Sequence, residues 1–404
     1  MVPKHTITST VNKVLTALVA ILLVSYVVSM GLGLVLFFAL PRGLDAFAEQ
    51  FVELPLSVLM IVNFRIPLGV SLGLVFLVIW ILYVGSFALA WFDKPTFPYS
   101  LSNFTRPLDM IRSNYLMVLP QLASVVLVAV FLLQTLQEST GVQTGGISFE
   151  DPILGFLIVS YAPLVEEFSY RITTVGLLDG LHLIWKARRN PPNRLKISPA
   201  RLLFLTMWKP ESAKGLIGVN TINKNGVKLG ISRFEWSILV LVSGFFGAIH
   251  YLAGGGWEIG KISTATLSGL AMGLVYLKYG AYAPILLHWF FNYYFGVFDL
   301  ASQFRLSGAE LTVIGVELLN FGVGILLIVI LITSWISRTW FTKLRGPRFE
   351  MGHERISECF IRNRAHQLRS QVSGCVSPPS PRVPLGTAAD KPTTTTRDLL
   401  GRIL

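Results

Sequence analysis

Apolar residues in this chain come in long blocks rather than at alternating or helical-face positions, and short polar stretches separate the blocks. A hydrocarbon core of roughly 30 Å takes about 20 helical residues to cross, so each block reads as a membrane-spanning helix. Eight can be delimited, at 14–40, 66–92, 115–136, 153–178, 234–252, 263–277, 284–300 and 311–336, of which the sixth is the shortest. The first is longer than the apolar region of a cleavable signal and no small-residue cleavage site follows it, so it is expected to stay on the protein. Between the fourth and fifth blocks, residues 216–222 and 227–231 flank Asn225-Gly226. That dipeptide favours a type I′ turn and predicts a small β-hairpin. The predicted fold is all-α, a polytopic membrane helix bundle of about eight transmembrane helices with a small cytoplasmic β-hairpin insertion.

Composition agrees: of 404 residues 52% are hydrophobic and 14% charged, and the mean hydropathy is +0.61. Such a chain is too apolar for a soluble globular surface. Charge then sets an orientation. The stretch 185–233 carries eleven Lys and Arg against the single acid Glu211, and 338–404 carries twelve basic residues against five acids. Positive charge stays inside, so both stretches and both termini are expected in the cytosol, whereas the connection 137–152, with Glu138, Glu150 and Asp151, suits the other face. The net charge of +12 is therefore a topological signature. Nucleic acid is not an expected partner; the lipid bilayer is, including its anionic headgroups. Cys359 and Cys375 both fall in the tail, which leaves neither a disulfide framework nor a thiolate metal site.

Three regions follow. Residues 1–150 form a three-span region nearly free of ionisable groups. Residues 151–336 form a five-span bundle with polar residues inside its spans and contain the cytoplasmic insertion 185–233. Residues 337–404 form a basic tail that passes through Ser377-Pro378-Pro379-Ser380-Pro381, holds few large apolar residues and is expected to be disordered.

Chemistry concentrates in the second region. An ionised side chain within hydrocarbon costs about 2.5–3.5 kcal/mol on insertion scales, so it needs a partner or a wet cavity. The fourth block holds Glu166, Glu167 and Arg171. Glu167 and Arg171 are spaced for a helical ion pair with the acid first. Glu166 projects about 100° away and is left to face a cavity. Phe246 and His250 share one face of the fifth helix, and His288 and Asn292 share one face of the seventh. A helix-packing salt bridge and interhelical hydrogen bonds would explain each pair alone. Their concentration on neighbouring helices, against three charge-free spans before them, points to a site. A base for water and donors for an oxyanion are what peptide hydrolysis requires, and Glu, His, His and Asn supply both.

Glu166-Glu167-x-x-x-Arg171, Phe246-x-x-x-His250 and His288-x-x-x-Asn292, in this order over residues 153–300, resemble the CAAX protease and bacteriocin-processing (CPBP) family of intramembrane endopeptidases. The resemblance implies a helical core around a polar cavity open to the cytosol. It further implies that Glu166 and His250 activate water while His288 and Asn292 donate to the oxyanion. The implied substrate is a membrane-associated polypeptide, prenylated in the CAAX type. The resemblance leaves two mechanisms open, a metal-independent glutamate mechanism, which is preferred, and one in which Glu166, His250 and His288 hold a divalent zinc ion with a fourth position for water. A transporter using the same polar cluster, or an inactive protease-like scaffold, is the alternative. One difficulty concerns depth. His288 falls near the start of its span and His250 near the far end of its own, unless the fifth helix projects one or two turns out of the membrane before entering it.

Overall fold

The computed structural model describes residues 4–104, 106–189 and 197–344. Contacts divide the chain at Ile336, and the unit Met1–Ile336 holds the bundle. Of the second unit, the described residues 337–344 are helical; the tail expected to be disordered otherwise lies outside the described residues.

The N-terminal region comprises α1 (Lys4–Phe38), α2 (Pro41–Ala48), strands β1 (Gln50–Val58) and β2 (Val62–Ser71), then α3 (Leu72–Phe92), α4 (Phe97–Ser102) and α5 (Tyr115–Ser139). Local chemistry fixes several starts. The Ser71 side chain accepts from Leu74 N–H and Asn114 from Leu116 N–H, each supplying an acceptor for an N–H that the first helical turn leaves free. A single long helix follows, α6 (Pro152–Glu167), a wider π-helical stretch (Phe168–Val175) and α7 (Gly176–Arg189). It starts at Asp151, whose carboxylate accepts from Ile153 and Leu154, with Pro152 in the first turn, where its missing N–H costs nothing.

Next come α8 (Pro199–Trp208), α9 (Pro210–Leu216), α10 (Ile222–Gly230), α11 (Arg233–Leu252) and α12 (Gly260–Tyr279). The chain ends its described part with α13 (Tyr282–Trp289), a second π-helical stretch (Phe290–Tyr294), α14 (Phe295–Gln303) and α15 (Ala309–Leu344). Among the described residues six helical segments are long and apolar enough to span a membrane: Val11–Phe38, Leu72–Phe92, Tyr115–Ser139, Pro152–Arg189, Arg233–Leu252 and Ala309–Ser337. The sixth and seventh blocks of the sequence are also helices of the bundle, α12 and the α13–α14 run.

At the centre stands α13, with Ala283, Leu286, Leu287 and Trp289 wholly buried. Tyrosines tie it to its neighbours, the Tyr115 hydroxyl donating to Ala283 O at 2.7 Å and the Tyr282 hydroxyl to Asp93 at 2.6 Å. Trp289 meets Tyr26 and Phe87 edge to face, so α1 and α3 close around the same point.

Two expectations are corrected. Residues 216–231 hold no hairpin. They belong to α9 and α10 and the link between them, and Gly226, at φ 74°, spends its conformational freedom on a kink inside α10. The reason lies outside the dipeptide: the buried Glu211 carboxylate accepts from Ile222 N–H and Asn223 N–H, which caps a helix start and leaves no ladder to pair. The two-stranded antiparallel sheet among the described residues is β1–β2, with Val58 facing Val62 across the turn. It takes up the first residues of the expected second span, so that helix starts at Leu72.

Candidate active site

Two of the three motifs sit where a helix changes its winding, and Phe246 and His250 lie within the regular helix α11. Directly after Glu167 the helix widens over Phe168–Val175, where the Thr173 and Thr174 hydroxyls both donate to Ser169 O, at 2.8 and 2.7 Å. Two side chains competing for one carbonyl displace the ordinary backbone ladder. His288 lies in the last turn of α13, and Asn292 lies inside the second widened stretch. Such π-helical turns recur at functional sites.

The groups divide into a buried layer and a cavity-facing layer. In the buried layer, Arg171 is 1% exposed and Glu167 0%. One guanidinium nitrogen of Arg171 donates to Glu167 Oε1 at 3.0 Å and the other to Gly269 O at 3.2 Å, and the Phe246 ring lies 4.4 Å from the guanidinium carbon. Glu167 Oε1 also accepts from His288 Nδ1 at 2.8 Å. Glu167 is therefore an orienting group with two partners, a wider role than the simple ion pair its spacing suggests.

The cavity-facing layer lines a chamber of about 880 Å³ with Glu166, Phe246, His250, Lys261, His288 and Asn292 in its wall. With Nδ1 committed to Glu167, His288 presents Nε2, which stands 3.8 Å from Glu166 Oε2. His250 Nδ1 lies 2.7 Å from Phe246 O. A carbonyl only accepts, so the His250 proton sits on Nδ1 and Nε2 is the ring's acceptor when neutral. Phe246 touches both histidines edge to face, with ring centroids 4.6 Å from His250 and 6.0 Å from His288. Glu166 Oε2 is shielded from solvent and has no hydrogen-bond partner among the described residues.

The depth difficulty resolves through the start of α11. Its first turn lies within the insertion's helices, where a capping box joins Ser232 and Glu235 and the buried Glu235 pairs with Lys214 at 2.7 Å. The helix thus travels through the α9–α10 layer before it reaches the level of α13. Gly247 lets α11 approach α12 closely: a Cβ there would sit 2.2 Å from Ile262 O.

The cavity's position departs from expectation. No described residue of 185–233 lines it; its rim is formed by the exposed Ile147, Ser148, Asp299 and Glu317, at the end of the bundle away from the basic insertion. Positive-inside counting and a cytosol-open cavity therefore point in opposite directions in this chain. The metal reading also meets a test. Among the described residues no group of three His, Cys, Asp or Glu side chains could hold a metal ion, so Glu166, His250 and His288 are not arranged as a three-ligand zinc set. Sequence reasoning missed Gly269, whose part is a backbone carbonyl that no side-chain motif reveals. It also missed Lys261, which falls just before the sixth apolar block, where a lysine reads as a span-edge residue.

Residues 148–294 match the model of the Rce1-like family, described as type II CAAX prenyl endopeptidase. No curated protein and no solved structure matches the chain. The matched stretch opens just before α6 and closes at the end of the second widened turn, so it contains all three motifs. With six apolar helices among its described residues, the chain is an integral membrane protein, and its residues 148–294 are similar to a protease family. The match over residues 148–294 supports the resemblance of this part of the chain to the CPBP family of intramembrane endopeptidases.

Proposed function

We propose that the protein is an intramembrane endopeptidase that hydrolyses a peptide bond of a membrane-associated, prenylated polypeptide. The observation that carries this reading is the pairing of a shielded, unpartnered Glu166 Oε2 with His288 Nε2 across 3.8 Å in a cavity wall. That distance exceeds a direct hydrogen bond, and one water can contact both atoms. Glu166, helped by the His250 Nε2 acceptor, takes a proton from that water, and the resulting hydroxide attacks the scissile carbonyl carbon. Charge collects on the carbonyl oxygen. The Asn292 amide and protonated His288, oriented by Glu167 behind it, are the donors that stabilise it. The C–N bond then breaks, and the proton held by Glu166 passes to the leaving amine, which regenerates the carboxylate.

The basic insertion and both termini are assigned to the cytosol by charge, and the substrate reaches Glu166 through the end of the bundle bordered by Ile147, Ser148 and Asp299. Turnover of a fluorogenic, farnesylated peptide by purified full-length protein, compared with Glu166→Gln and His250→Ala, tests the chemistry. Equal rates for all three proteins would overturn it.

A further inference from the structure

Resting on that reading, we propose that Lys261 anchors the free C-terminal carboxylate of the substrate polypeptide. Of the described residues lining the cavity, Lys261 is the one lysine or arginine. Its ammonium lies 3.6 Å from the centroid of the Trp257 ring, and no carboxylate among the described residues comes within 4.0 Å of it. The acids that share the cavity make no contact with Lys261: Glu166 acts on it through space while facing His288, Asp299 is bonded to Gln303 at 2.8 Å, and Asp299 and Glu317 stand on the exposed rim.

Position sharpens the point. Lys261 is the second residue of α12, where the helix dipole already favours negative charge, so a lysine there is locally unfavourable and adds to a positive field. Trp257 holds that charge in place as a cation–π partner, which attracts the ammonium without neutralising it. A carboxylate would complete the set with a charge-assisted hydrogen bond. Polypeptide side chains vary, but an enzyme cutting near the substrate's end always meets one anion, the terminal carboxylate. A fixed cation beside the cleavage site would recognise that end and reject internal segments of long chains.

The test pairs two farnesylated peptides, one with a free C-terminal carboxylate and one with a carboxamide. Binding to full-length Glu166→Gln protein in nanodiscs is measured, together with turnover by the otherwise unaltered protein. An intact Lys261 is expected to prefer the carboxylate by about 10- to 100-fold, as for loss of a hydrogen bond to a charged group. Lys261→Met should bring the ratio near one, and Lys261→Arg should keep most of it. An acid-to-amide ratio near one with Lys261 in place, or a preference that survives Lys261→Met, overturns the inference. Absence of turnover with a carboxylate preference in binding would count against the protease reading alone.

Discussion

Replacing Arg171 by methionine isolates the electrostatic frame behind the cavity. Arg171 and Glu167 are 1% and 0% exposed and 3.0 Å apart, and Glu167 Oε2 has no partner among the described residues. Removing one member of a buried ion pair costs about 3–5 kcal/mol, because the other charge is left uncompensated. His288 remains 2.8 Å from Glu167 and offsets part of that charge, so the lower end, about 3 kcal/mol, is expected for Arg171→Met. Glu167→Gln should cost a similar amount, since it strands the guanidinium. The double variant removes both charges and keeps a Gln oxygen for His288 Nδ1, so it should lose only about 1–2 kcal/mol, well short of the two single losses combined. Apparent stability of the full chain, followed by detergent-denaturant titration in mixed micelles, reads these differences. Peptide turnover should fall in all three variants, since none presents a carboxylate to His288 with its counter-charge in place. A single variant within 1 kcal/mol of the parent, or a double variant as unstable as the two singles combined, would refute the reasoning.

Asn292→Ala should lower kcat by about 10²- to 10³-fold with little change in KM, as for loss of an oxyanion donor; steady-state kinetics on the farnesylated peptide check the split. Gly247→Val, whose side chain would press on Ile262 O, should force α11 from α12 and lower both the yield of folded protein and turnover, measured by size-exclusion recovery and peptide assay. Single cysteines at Ser148 and Lys228, in a background without Cys359 and Cys375, should react with an impermeant maleimide from opposite sides of sealed vesicles. Labelling from one side would reject the assignment of cavity rim and basic insertion to opposite faces.

Much of the bundle was legible in the sequence because lipid imposes a coarse rule, apolar blocks of sufficient length, and α1, α3, α5, α6, α11 and α15 obey it. The α12 helix is less apolar, with Lys261, Ser263, Thr264, Thr266, Ser268 and Lys278, yet its length within the block pattern still marked it. The residues that meet at the cavity were legible for the opposite reason: Glu166, His250 and His288 are too costly in hydrocarbon to be incidental. What escaped depends on contacts distant in sequence. The β1–β2 turn uses Leu59 and Met60 at φ 54° and 65°, where Gly or Asn would be expected, and is held by Thr173 and Ser169 from a helix more than a hundred residues on. The first widened turn goes with the bonds of the Thr173 and Thr174 hydroxyls to Ser169 O, and residue spacing does not record which carbonyl they choose.

The β1–β2 ribbon lies against the helix that carries Glu166, and its outward residues from Ile61 to Pro67 are all exposed. Peptide groups along such a margin find no partners among acyl chains. Where this flank meets lipid, the bilayer is expected to dimple so that headgroups or water reach the ribbon. The protein would then carry its own shallow hollow in the membrane, deepest beside the helix that bears Glu166, the proposed general base, and bilayers of thicker lipids would work against it.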